Sequence, residues 1–433
     1  MTAAITAGIT ALTLVGAPLF IILALITIIG FLATGQEAGL IFMGEMYKIA
    51  EQPMFIAIPL FTFAGYLMAE AKTSTRLINL TRALVGWMPG GIAVVALLAC
   101  AFFTVFTGVS GVTVIALGGL LLPALIKEGY PEKFTLGLLT TGGSRGMLFP
   151  PSLPIIIYGV IAQVDINKLF IAGVIPGALD LLVTMGLCIW LGNKAKVPRV
   201  PFDPRAAWVA TKEMAWELPI PVIIFGGIYG GFLTAADAAV AVALYVFIVE
   251  VFIYRDLNLV RDVPRVTRES MILVGGIFII IGAALGLTNL LVDQEIPDAM
   301  FRAMQPIIKD KITFLLLLNV FLLVAAALLD VFSAILVVLP LILPIAAQYD
   351  VNPVHLGIIF LINLEIGYSL PPMGLNLFVA SFRFQKPILS LYKSTYPFLI
   401  ATGVVLLAVT YYDKLALGLL EVLGIPTTPG MIP

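Results

Sequence analysis

Four short polar stretches interrupt an otherwise apolar chain, and their residue types suit a hard cation held beside an organic anion. The first is the turn Gly108-Val-Ser-Gly-Val-Thr113, where Ser110 and Thr113 supply hydroxyls and Gly108 and Gly111 let backbone carbonyls come close to an ion. The second, Thr140-Thr-Gly-Gly-Ser-Arg-Gly-Met-Leu-Phe-Pro-Pro-Ser152, adds Thr140, Thr141, Gly142, Gly143 and Ser144. Hydroxyl and carbonyl oxygens without a carboxylate suit Na⁺: they replace its hydration shell, and helix C-terminal ends add partial negative charge. The third stretch places Asp330 and Ser333 at a turn, and the fourth places Asn363 and Glu365 ahead of Ile-Gly-Tyr-Ser-Leu-Pro-Pro-Met-Gly374. A carboxylate deep in a membrane costs about 3 kcal/mol or more unless it is paired, so an ion or proton site accounts for these acids. Capping of a helix N-terminus, or pairing with an arginine, is the structural alternative. Arg145 is the one cation inside a break. It can receive the carboxylate of an anionic substrate through two parallel hydrogen bonds, or pair with a buried acid. Pro150-Pro151 and Pro371-Pro372 stop one half-helix and restart the next, which leaves N–H groups for a ligand. With Arg145 and Asn363, these prolines are the substrate-side candidates.

The elements that must position these stretches are membrane helices. The chain is 61% hydrophobic and 11% charged, with a mean hydropathy of +1.10, whereas about a quarter of the residues of soluble domains are charged. The fold class is an all-α polytopic membrane protein. A net charge of −1 offers no surface for nucleic acid, and no Lys/Arg run marks a polybasic lipid anchor. Cys100 and Cys188 both fall in apolar spans, so neither a disulfide framework nor a metal cluster is expected. No Walker A sequence is present, so energy is expected from an ion gradient or a partner, and no cofactor beyond a coupling Na⁺. The first apolar span, 9–34, lacks a basic flank and is too long for a signal-peptide core, so it is expected to remain in the mature protein.

Full crossings are expected at 9–34, 53–71, 134–161, 168–192, 216–233, 234–255, 269–290, 354–380 and 395–416. The pieces 90–106 and 112–127 are each too short to cross about 30 Å of hydrocarbon. They read as a re-entrant hairpin over 90–128, with a second over 313–348. The spans 134–161 and 354–380 contain the polar breaks and read as broken helices, tolerated only where protein or a watery cavity satisfies the freed backbone. Stretches 73–88 and 294–308 read as interfacial helices, and 193–215 and 255–268 as soluble loops. Basic connectors fall on one face if the N-terminus is cytoplasmic, which leaves the C-terminus periplasmic. A shift of 221 residues puts Gly65 on Gly286, Pro123 on Pro344, Gly146 on Gly367, and Pro150-Pro151 on Pro371-Pro372. The expected organisation is therefore a first repeat at 9–192, a loop and linking helix at 193–229, and a second, inverted repeat at 230–413.

These residues resemble, over nearly the whole chain, the large membrane subunit of the TRAP (tripartite ATP-independent periplasmic) transporters. The resemblance rests on SGVTVIALGGLLLPALIKEGY at 110–130, GGSRGMLFPPSLPIIIYG at 142–159, the Leu329-Asp330 turn with Pro340 and Pro344, NPVHLG at 352–357, and NLEIGYSLPPMG at 363–374. It implies a Na⁺-coupled importer of organic acids, such as C4-dicarboxylates or sialic-acid-like anions, in the bacterial inner membrane. In such a protein an elevator domain of hairpins and broken helices slides against a scaffold. Implied partners are a periplasmic substrate-binding protein and a small four-helix membrane subunit, expected as a separate chain because only eight residues precede the first crossing. The family's first ion site falls on Ser110, Gly111 and Gly142-Gly143-Ser144, and the second on Asp330 and the stretch around Gly367, Met373 and Gly374. The chain departs from many members at Val112, where they carry a serine or small residue, and at Arg145, where they carry a small or apolar one. Two rivals stand beside this reading. A stand-alone divalent-anion/sodium symporter would share the hairpin plan, but neither turn carries its Ser-Asn-Thr triplet. Gly108-Val-Ser-Gly111 also matches the G-x-S-G of rhomboid proteases, for which Ser110 and His355 would have to form a dyad.

Overall fold

The computed structural model describes residues 19–34, 43–44, 47, 53–88, 90–108, 110–195, 197, 201–372 and 374–427, which leaves Met373 and the start of the expected 9–34 crossing outside the described residues. These form nineteen α-helices and no strand. Leu19–Ala33 (α1), Ala57–Glu70 (α2) and Thr73–Val85 (α3) come first. Gly91–Thr107 (α4) and Ser110–Lys127 (α5) make a hairpin, Glu132–Gly142 (α6) and Leu153–Ala162 (α7) are halves of a broken helix, and Ile166–Lys194 (α8) follows. Pro204–Glu213 (α9), Pro219–Tyr229 (α10) and Ala235–Ile248 (α11), prolonged by a π-turn at Val249–Ile253, lead to Asp262–Asp293 (α12). The order then recurs. Ile296–Met304 (α13) precedes the hairpin Lys311–Leu328 (α14) and Val331–Gln348 (α15), the halves Pro353–Gly367 (α16) and Leu375–Phe384 (α17), and finally Ile388–Tyr411 (α18) and Lys414–Val422 (α19).

The element bounds have local causes. Gly108 ends α4 in the left-handed region at φ 65°, where a Cβ would also lie 2.7 Å from the Leu153 side chain. Asp310 and Asn352 cap α14 and α16 by accepting from Thr313 N and Val354 N. Helix α5 begins at Ser110, so the expected turn 108–113 is helical from Ser110 onward. The second hairpin arm is accordingly longer than expected, α5 reaching 18 residues, or about 27 Å. Among the described residues, seven helices are long and apolar enough to cross a membrane, and α5, α14 and α15 are among them. The outward side of α14 carries Leu316, Val320, Phe321 and Val324, the residue types expected where lipid is the solvent.

Three segments differ from the sequence reading. The expected loop 193–215 contains α9, started by Asp203 accepting from Arg205 N with Pro204 at the first helical position, and packed on α3. The second half of the expected loop 255–268 belongs to α12, where Arg265 pairs with Asp262 at 3.7 Å and Glu269 at 3.8 Å along the helix and with Glu70 of α2 at 2.5 Å. The last expected crossing, 395–416, ends as a helix at Tyr411, and a separate helix, α19, runs past it and buries Ala416, Leu417 and Leu420, packing on α8. In the expected crossing 216–233, α10 has 11 residues, about 16 Å, and hydrogen-bonded turns such as Leu218 N to Met214 O extend it.

Hairpins and breaks exchange partners. The second arm α5 packs on α17, the second arm α15 packs on α7, and the first arms α4 and α14 pack on α6 and α16. A shift of 221 residues carries Ser144 onto Glu365, and these two residues touch, the Ser144 hydroxyl lying 3.5 Å from the Glu365 carbonyl. The two breaks therefore cross each other. At one end of the bundle, Arg76 of α3 binds Glu217 at 2.5 Å, Asp256 at 2.6 Å and Glu250 at 3.0 Å, with the Tyr254 ring 3.9 Å beneath its guanidinium. Burial works against this charge, but the bonds to Glu217 and Asp256 outweigh it and hold the guanidinium above its ordinary pKa range. This network ties the amphipathic helix to the connectors on either side of α10 and α11.

Candidate ion and substrate site

The first hairpin turn is fastened to the first break by threonines. Thr104 donates to the Gly143 carbonyl at 2.8 Å, so the 2.7 Å contact between Thr104 and Thr113 is donated by Thr113. Thr140 and Thr141 donate back along α6 to Leu136 and Gly137, at 2.7 and 2.9 Å. Their hydroxyls are spent within the helix. Ser144 likewise donates to Thr141 O at 3.1 Å. Two residues with unsatisfied polar atoms, Ser110 and Asn376, lie beside Gly143. A Cβ there would sit 2.8 Å from Ser110 O and 3.6 Å from Asn376 Nδ2, so this glycine permits a close crossing of α5, the first break and α17. The Ser110 hydroxyl is 2% exposed and the Asn376 side chain 0%, and no protein group hydrogen-bonds Ser110 Oγ or either polar atom of the Asn376 amide. Buried polar atoms without partners are uncommon and costly, and the two residues that carry these, one from each half of the chain, flank Gly143 through the Ser110 carbonyl and the Asn376 amide. Gly111 lies against Val379 of the same α17, and Gly142 against Cys100.

At the second turn Asp330 caps α15, accepting from Phe332 N at 2.9 Å, Ser333 N at 3.1 Å and the Ser333 hydroxyl. Val331 N donates to the Tyr368 hydroxyl at 3.0 Å, which docks this turn on the second break. Gly367 lies so near α14 that a Cβ would stand 2.1 Å from Ala326 Cβ, and Gly374 is held against the carbonyls of Tyr368 and Leu370. Both Pro150-Pro151 and Pro371-Pro372 are cis. Asn363 donates to Asn319 Oδ1 at 2.7 Å, and Asn319 donates to Thr410 at 3.0 Å. Asn363 thus belongs to a polar ladder joining α16, α14 and α18.

Arg145 sits apart from that crossing. It donates to Asp180 Oδ2 at 2.5 Å and to the Thr402 hydroxyl, and lies 3.3 Å from Glu365 Oε1. None of the three charged residues is more than 3% exposed. The guanidinium is engaged by two acids of α8 and α16, which is the ion-pair alternative raised by the sequence. Four partners escaped the sequence reading. Asp180, a lone acid inside the 29-residue apolar α8, carried a signal, since intramembrane charges demand partners. Asn376, two positions beyond Gly374, carried a weaker one. Thr104 and Thr402 carried none, because hydroxyls inside apolar helices commonly bond their own backbone.

Residues 6–415 match the family model described as Tripartite ATP-independent periplasmic transporter, DctM component. The chain belongs to that family. Among its relatives, the C4-dicarboxylate TRAP transporter large permease protein DctM of Rhodobacter capsulatus is 34% identical over 433 residues, covering 96% of this chain and 97% of the relative. The isethionate TRAP transporter permease protein DctMQ of Oleidesulfovibrio alaskensis is 35% identical, covering 92% of this chain and 63% of that longer protein. The ectoine TRAP transporter large permease protein TeaC of Halomonas elongata is 32% identical, covering 92% of this chain and 94% of the relative. The fold is similar to that of the YdaH transporter of Alcanivorax borkumensis, with a TM-score of 0.60 over 90% of this chain and 89% of that one, at 15% identity. As a DctM-family permease the chain is a transport component and not an enzyme. His355 Nε2 is paired with the Val409 carbonyl at 2.8 Å.

Proposed function

We propose that this DctM-family permease is a Na⁺-coupled importer of organic anions in the bacterial inner membrane. A periplasmic binding protein delivers the substrate, and a small four-helix membrane subunit braces the scaffold. The observation that carries the reading is the crossing of α5, the first break and α17, where the Ser110 carbonyl and the Asn376 amide lie beside Gly143 and the Ser110 hydroxyl and that amide are buried without partners. Neutral oxygens at that depth suit Na⁺, and the C-terminal end of α6 adds partial negative charge. Gly111, Gly142 and Ser144 complete the first coordination zone, and Asp330, Ser333, Gly367 and Gly374 frame the second. An organic anion would meet the restarts of the half-helices after Pro151 and Pro372; the Ser152 hydroxyl at the first restart, and that of Ser369 ahead of Pro371, are also buried and unpaired. Relatives named for C4-dicarboxylate and isethionate support an organic-anion substrate.

The exchanged packing of hairpins and breaks supports an inverted repeat, 9–192 against 230–413, with α10 and its flanking turns as the odd crossing and the hairpins re-entrant. Such a body, carrying both ion zones, would slide as an elevator. The test is uptake into liposomes by the permease and its small subunit, with the cognate binding protein loaded with labelled organic acid. Uptake that needs both inward Na⁺ and the binding protein supports the reading. Uptake without the binding protein indicates a stand-alone symporter, and equal uptake under K⁺ removes the Na⁺ coupling.

A further inference from the structure

A cavity of about 390 Å³ opens between the start of α6, the end of α8 and the first turns of α18. Phe134, Leu191 and Phe398 make its inner wall, and Lys133, Lys194 and Lys393 stand around it. The three lysines come from three separate helices, α6, α8 and α18, and are all exposed. Among the described residues none has a carboxylate within ion-pair distance: the nearby acid Glu132 is taken by Lys386 at 2.6 Å. Lys194 instead lies 5.4 Å over the ring of Trp190, which is 60% exposed in the manner of an aromatic at the membrane interface. Three ammonium groups converging on an apolar hollow repel one another, and the ligand that relieves this carries negative charge at one end and hydrocarbon at the other. The hollow lies at the ends of helices that the chain places in lipid, where such molecules are abundant, and basic pockets between membrane helices hold acidic headgroups.

We propose that this cavity is a binding site for an anionic phospholipid, its phosphate among Lys133, Lys194 and Lys393 and part of an acyl chain against Leu191 and Pro397. A free phosphate would leave the apolar wall unused, and a zwitterionic lipid would bring no net charge to the lysines. The experiment is native mass spectrometry of the full chain in detergent, titrated with phosphatidylglycerol or with phosphatidylcholine of the same chains. The expected result is saturable binding of phosphatidylglycerol, weakened about fivefold per lysine removed and on the order of a hundredfold in the triple variant K133Q/K194Q/K393Q. The K133R/K194R/K393R variant keeps the charge and is expected to bind as the parent does. Ala195→Trp, which fills the mouth without changing charge, is expected to weaken binding as well. The proposal is overturned if phosphatidylcholine binds equally tightly, if the glutamine triple variant binds as the parent does, or if Ala195→Trp leaves binding intact.

Discussion

Arg145→Met removes one guanidinium from between two buried carboxylates, and the geometry sets the order of stability among the variants of this cluster. In the parent, Arg145 makes a 2.5 Å hydrogen bond to Asp180 and a looser 3.3 Å contact with Glu365. Losing one partner of a buried pair costs about 3–5 kcal/mol, and this loss falls at the upper end because two acids lose the same cation. Asp180→Asn removes the charge-assisted bond but leaves Glu365 as counter-charge, so about 1.5–3 kcal/mol is expected. Glu365→Gln leaves one cation facing one anion with their hydrogen bond intact, and its cost is expected to be about 1 kcal/mol or less. Replacing all three by apolar residues of similar volume is expected to restore most of the loss. The assay is the fraction of purified full-length protein that stays monodisperse in mild detergent after heating. The expected order is parent and E365Q together, then D180N, then R145M, with the apolar triple variant recovering. R145M as stable as the parent, or E365Q as damaging as R145M, would refute the reasoning.

Other consequences follow from single contacts. Gly367→Ala drives a Cβ into Ala326 and is expected to cost about 1–3 kcal/mol, with Ala326→Gly in the same chain recovering part of it, read in the same heating assay. Arg76→Met strands Glu217 and Glu250, both 0% exposed at the side chain, and is expected to cost about 3–5 kcal/mol and to lower the yield of folded protein. An unchanged yield and heat stability would show that the network does not anchor α3. If the repeats are inverted, Lys133→Cys and Lys311→Cys are expected to react with a membrane-impermeant maleimide from opposite faces. Labelling from the same face would remove the inversion.

The parts of the fold that were legible in the sequence rest on backbone chemistry. Gly108, Gly142-Gly143, Pro150-Pro151 and Pro371-Pro372 can do little in a helix interior except interrupt it, so the turns and breaks announce themselves. The 221-residue shift is carried by the same residue types, and it proves to place Ser144 in contact with its own counterpart, Glu365. The partnerships were not legible, because they join residues far apart in sequence through side chains with several uses. Nothing local says that Arg145 turns to Asp180, or that Thr104 rather than Ser144 binds the Gly143 carbonyl. Helices α9 and α19 were missed because they are short, and their apolar faces count only once α3 and α8 are there to cover them. Asn376 shows the limit best. Within LNLFVASF a single amide reads as an ordinary buried polar residue until the fold sets it, unsatisfied, beside Gly143 and Ser110.

The most direct measurement is equilibrium binding of ²²Na⁺ to the purified chain and to its Ser110→Ala and Asn376→Leu variants, with K⁺ as competitor. These side chains make no hydrogen bond to the protein, so their removal is expected to leave heat stability at or above the parent's. It is expected to weaken Na⁺ binding about tenfold or more. Na⁺ binding that is saturable, resistant to K⁺ and lost in both variants fits the account. Parent-like affinity in both variants would contradict it.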